Sequence, residues 1–166
     1  MSRDSGPVNL EAMRDVTLAA AAAHSVDDVL RRIVDGIATC ENVVLARIWL
    51  VQSEKDDRGE RRWLQLVASN GTLRTPGADA KRLDGEFARV ERGERKIGRI
   101  AASGQGMLLE GLDGGADWIA RPGWARDEGV ACFAGQPLVA RGETLGVLAL
   151  SSPLIVEPFL QAIEGR

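Results

Sequence analysis

Gly129–Ser152, GVACFAGQPLVARGETLGVLALSS, reads as a β-hairpin. Two apolar runs, Val130–Ala140 and Thr144–Ser151, flank Arg141, Gly142 and Glu143, a short glycine-containing turn of the kind that reverses antiparallel strands. Pro137 cannot donate to a ladder, so it is expected at a bulge or at an edge. Working outward, Val43–Val51 is apolar on both faces apart from Arg47, the pattern of a central strand whose two sides are covered. Trp63–Ser69 is β-rich and pairs with it as a second hairpin across the charged connector Gln52–Arg62. Hairpins at both ends predict a mainly antiparallel sheet.

Two helices precede the first strand. Leu10, Met13, Val16, Ala20 and Ala23 recur at helical spacing and predict a helix from about Leu10 to His24, with a small-residue stripe over Ala19–Ala23. Ser25 is a suitable N-cap for a second helix, with Asp28 three residues on. Val29, Leu30, Ile33, Val34 and Ile37 line its apolar face. Between the hairpins lie a loop over Asn70–Gly85, a short strand at Phe87–Val90, a short helix at Arg95–Ala102 closed by Gly104, and a strand at Met107–Leu109. Asp113–Glu128 reads as irregular and carries Trp118, Pro122 and Trp124. The front helices can cover one sheet face, so the crossover between the hairpins must cover the other.

The expected organisation is a flexible start over residues 1–9, one domain over residues 10–152, and the beginning of a truncated C-terminal helix over residues 153–166. The last four residues, Ile-Glu-Gly-Arg, match a common engineered protease site. A net charge of −3 is too small, and of the wrong sign, for a nucleic-acid surface. No signal core and no run of about 18 apolar residues is present, so a cytoplasmic protein that does not engage membranes is expected.

The stretch Gly93–Gly104, GERKIGRIAASG, is similar to the Gly-x-x-x-Ile-Gly-x-Ala-x-x-Gly segment of GAF domains. Gly129–Ser152 resembles their closing hairpin, with its Pro-Leu, turn Gly and Leu-Gly-Val-Leu strand. The resemblance spans roughly residues 10–152. It implies an α+β fold, in the wider sense α/β: a six-stranded, mainly antiparallel sheet with N- and C-terminal helices on one face and crossover loops and short helices on the other. A ligand cavity would lie under the crossover. The chain lacks the Asn-Lys-Phe-Asp-Glu pattern of cyclic-nucleotide binders, the Cys-His pair of bilin carriers and the cysteine cluster of the methionine-sulfoxide reductases of this fold.

His24, the one histidine, stands at a helix end, where it is read as meeting the last carbonyls. Cys40 and Cys132 sit among apolar residues and read as small buried hydrophobes, not as a metal site or a nucleophile. Asp113, Asp117, Asp127 and Glu128 lack calcium-loop spacing. Gly104-Gln-Gly106 lacks the rest of a phosphate-loop fingerprint. No metal and no cofactor is expected.

The expected ligand site lies between a sheet face bearing Val90, Leu109 and Cys132 and a cover of Ile97, Ile100, Trp118 and Trp124, with Arg89 or Arg99 supplying charge. The resemblance implies a non-catalytic sensor for an unknown small molecule. The expected partners are a second copy docked through Ala19–Ala23 and a downstream output domain, an AAA+ activator or a kinase. The alternatives are a ligand-free GAF domain used for dimerisation and a cysteine-based redox enzyme.

Overall fold

The computed structural model describes residues 14–18, 25–111 and 121–153. The stripe Ala19–Ala23, His24, Asp113, Asp117, Trp118 and the C-terminal tail lie outside the described residues.

Helix α1, Val26–Ala38, begins where the sequence predicts: Ser25 Oγ accepts the Asp28 N–H at 3.1 Å. The Asp28 carboxylate bonds Arg32 on the same face and does not complete a capping box. Leu30, Val34 and Ile37 are its buried positions. Val16, within a helical turn at residues 14–18, lies against Gly36, where no side chain intervenes.

Six strands follow: β1 Leu45–Asp56, β2 Gly59–Gly71, β3 Arg89–Glu91, β4 Met107–Glu110, β5 Cys132–Ala140 and β6 Glu143–Ser152. They form one sheet in the order β3-β2-β1-β6-β5-β4, and every pairing is antiparallel. The fold class expected from the sequence is therefore the one observed. In the closing hairpin, Arg141 (φ 53°) and Gly142 (φ 77°) form a two-residue turn, the left-handed pair that matches strand twist. Pro137 pairs with Val147 in β5, beyond the end of β4, whose last partner on that side is Gly135. It thus sits on a locally open edge.

Two local expectations are corrected. The segment Gln52–Arg62 is not merely a charged connector: β1 and β2 continue through it to a tight turn at Asp57 and Arg58, with Glu54 opposite Arg61 and Lys55 opposite Glu60. The arm carries ion pairs from Arg62 to Glu60 and from Arg61 to Glu91 of β3, and it has no apolar alternation. Pro122–Glu128 is also not irregular. It forms helix α3, with proline in the first turn and Gly129 (φ 70°) as its cap.

Helix α2, Arg95–Ser103, ends at Gly104 (φ 67°), as the sequence predicts. Gly98 packs against the Glu91 carbonyl with no room for a Cβ, which seats α2 against β3. Gly135 likewise leaves space on β5 for Ile100.

Alternation along β1 divides the core. Ala46 and Ile48 face α1, joining Ala68 and Leu150 under Leu30, Val34 and Ile37. Trp49 faces the other way, with Leu64, Leu66, Phe133 and Val147, under Ile97 and Ile100 of α2.

Candidate functional site

A cavity of about 200 Å³ opens on the face away from α1. Its floor is formed by Leu45, Arg47 and Trp49 of β1, Phe133 of β5, and Ala149 and Ser151 of β6. These residues share a face because each strand contributes alternate positions. Lys96 and Ile97 of α2 form one wall, and Trp124 and Ala125 of α3 another. Phe87 and Arg121, with Leu73 and Val130, all from connecting segments, complete the lining.

Hydrogen bonds hold this cover in place. The Trp49 indole N–H donates to the Phe87 carbonyl at 2.8 Å. Arg121 donates to Glu86 at 2.6 Å and Arg95 donates to the other oxygen of that carboxylate at 3.2 Å, while both guanidinium groups lie over the Phe87 ring. Hydrogen bonds from Arg121 and then Arg95 hold the Glu86 carboxyl below its usual range. On the far side, fully buried Glu128 accepts from the Arg74 N–H, the Thr75 N–H and the Thr75 hydroxyl, tying α3 to the loop after β2. Burial alone would raise the Glu128 carboxyl, but these hydrogen bonds overcome it and lower the pKa.

Among the described residues, the charge that lines the cavity is one-sided. Arg47, Lys96 and Arg121 line the cavity, and its described lining contains no Asp or Glu. Arg47 Nε donates to Ser69 Oγ at 3.1 Å, and that hydroxyl donates to the Ala80 carbonyl at 2.5 Å. Among the described residues no carboxylate lies within ion-pairing distance of Arg47. Burial, and secondarily the like charge of Arg121, lower the Arg47 pKa. Burial, then Arg95, lower Lys96 to about 8, and its ammonium stands 4.9 Å from the centre of the Phe133 ring.

Of the residues singled out in the sequence, Ile97 and Trp124 line the cavity. Val90 and Ile100 lie in the core beside it, and Leu109 packs on the edge of that core. Cys132 is displaced: it precedes Phe133 with no bulge between them and pairs with Ser152, so it faces away from the cavity. Arg89 and Arg99 are exposed, Arg89 lying over Trp63. The cations that do line the cavity were not singled out, although Arg47 carried a signal as the one charged residue in an apolar strand. Burial raises the pKa of both Cys40 and Cys132, and at Cys132 the nearby Glu110 charge adds to it.

The sequence profile of the GAF domain family matches residues 23–155. The chain belongs to the GAF domain family. No curated protein is significantly similar to it. Among solved structures it is similar to the NLH2 GAF domain of A. aeolicus in an inactive state, with a TM-score of 0.66 and 14% identity over 94% of this chain and 88% of that one. The GAF domain of an Acinetobacter phosphoenolpyruvate-protein phosphotransferase matches with a TM-score of 0.61 and 20% identity, over 98% and 89% of the two chains. Free methionine-R-sulfoxide reductase from Neisseria meningitidis, solved with its substrate, matches with a TM-score of 0.66 and 17% identity, over 98% and 87%. That last similarity corrects the expectation of a module without a catalytic centre: an enzyme has this fold across nearly its whole length, so the GAF fold of this chain is compatible with catalysis. No helix among the described residues is long and apolar enough to cross a membrane.

Proposed function

We propose that this GAF domain is a regulatory module that binds a small molecule in the cavity between the central strands and the α2–α3 cover. The observation that carries the reading is the cavity itself, with a mostly apolar lining and a few converging polar groups, the usual make-up of a small-molecule site. At about 200 Å³ it suits a compact ligand better than a nucleotide. The cover is built from short helices and loops, which open locally at lower cost than a sheet. A ligand that prefers the closed cover shifts the balance between two arrangements, and a downstream output domain or a second copy reads the difference.

The test is a thermal-shift screen of small metabolites, run in parallel on the wild-type chain and on Ala149→Leu, which fills the floor. A ligand of this site raises the melting temperature of the wild type and not of the filled variant. Mass spectrometry of the recovered ligand shows whether it leaves unchanged, as for a sensor, or converted. If no compound stabilises the wild type, or both chains respond equally, the site is not a ligand pocket.

A further inference from the structure

Resting on that reading of the cavity, we infer that its ligand is a small organic carboxylate, with the carboxylate between Arg47 and Arg121 and a short apolar body on Trp49 and Phe133.

Three observations lead there. Arg47, Lys96 and Arg121 place positive charge in one small cavity with no acidic residue in its described lining. A guanidinium withdrawn from water is costly unless an anion compensates it. Arg47 has a hydroxyl partner for Nε, and no carboxylate pairs with it among the described residues. Arg121 is already matched by Glu86, from the rim, so among the described residues one of the two guanidinium groups has a carboxylate partner and the other has none. An incoming carboxylate would satisfy Arg47 through the paired donors of its planar fork.

The rest of the wall selects the body. Trp49, Ile97, Phe133 and Val130 offer aromatic and aliphatic surface, which a bare inorganic anion would leave unused. A carboxylate attached to a branched or aromatic hydrocarbon uses both features. Glu86 then acts as a competitor at Arg121, and removing its charge frees that guanidinium for the ligand.

The experiment is titration calorimetry of the whole chain with benzoate, isobutyrate and pyruvate, their neutral amides, and inorganic phosphate. The acids are expected to bind and the amides not. Arg47→Met should weaken the acids by about ten- to a hundredfold, the scale of a lost charge-assisted hydrogen bond. Arg47→Lys should recover part of the loss, and Glu86→Gln should tighten binding. Ligand-free Arg47→Met should also melt about 2 °C or more above the wild type, because an uncompensated charge is gone. That readout shows that the variant folds and separates a ligand-binding arginine from a structural one.

Amides that bind as well as acids, or phosphate that binds as tightly as benzoate, would overturn the carboxylate class while the cavity stays a ligand site. Acids that bind equally to Arg47→Met would overturn the placement. If none of these acids binds, while a neutral or cationic compound from the thermal screen binds and is lost in Ala149→Leu, the carboxylate class falls and the pocket reading stands. Failure of every compound removes both.

Discussion

The two faces of the sheet are cut from the same strands, residue by alternate residue, and they are built for different ends. On the α1 face, Ala46, Ile48, Ala68 and Leu150 meet Leu30, Val34 and Ile37 in a closed apolar layer. On the other face, the neighbours of Ala46 and Ile48 are Leu45, Arg47 and Trp49, which floor a cavity lined by three cationic side chains. The difference teaches where the chain accepts cost. One face is packed for stability, and the other keeps charge and space under a cover assembled from α2, α3 and loops.

The sharpest test uses adjacent residues on β1. Ile48 is 1% exposed, and Ile48→Ala should cost about 2–5 kcal/mol in urea denaturation through lost burial and the cavity left behind. Ligand binding by the folded fraction should be unchanged. Its neighbour, Arg47→Met, is expected to change stability in the opposite direction and to impair binding. If both substitutions destabilise alike, the two faces do not differ in the way described.

The next effect concerns the cover. Glu128→Gln leaves the Arg74 N–H, the Thr75 N–H and the Thr75 hydroxyl facing an amide that cannot accept from all three donors, and should cost about 1–3 kcal/mol. Because α3 carries Trp124 and Ala125, ligand affinity should fall as well. The pH dependence follows from the lowered carboxyl pKa. The folded value lies below the unfolded one, so the stabilisation is complete above the ordinary carboxyl range and is lost as pH falls through the folded value. Acid titration of the melting temperature should therefore be less steep in Glu128→Gln than in the wild type. Equal slopes would remove Glu128 as the tie between the cover and the loop.

The packed face was legible in the sequence and the cavity face only in part, for a physical reason. Helix α1 announces itself through local periodicity and its Ser25 cap, and the hairpin turn through Arg141 and Gly142. Ile97 and Trp124 were legible as apolar residues in the segment that had to cover the second face. Lys96 and Arg121 sit in ordinary charged surroundings, and nothing local marks them as lining a cavity. Their placement depends on how α2 and α3 dock, and the seven-residue α3 segment reads as irregular in sequence. Cys132 was misplaced by a single residue, which in a strand reverses the face.

The smallest expected effect lies at Lys96. Its folded pKa of about 8 is below the ordinary value of 10.5, so between these pH values the unfolded chain holds more protons than the folded one. Lys96 therefore makes stability rise with pH across that window. Cys40 and Cys132 work against it. Their thiol pKa values are raised by burial, so in the same alkaline range the unfolded chain loses those protons first and stability falls. The readable quantity is thus the difference between the wild type and Lys96→Met, in which the thiols cancel. The variant should melt higher at neutral pH, and the gap should close as the wild-type amine deprotonates. A bound carboxylate should narrow the gap at neutral pH as well, because the anion favours the charged amine. A gap that stays constant from neutral pH to pH 10.5 would mean that Lys96 is as well solvated as an ordinary surface lysine, leaving Arg47 and Arg121 as the charges that distinguish the cavity face.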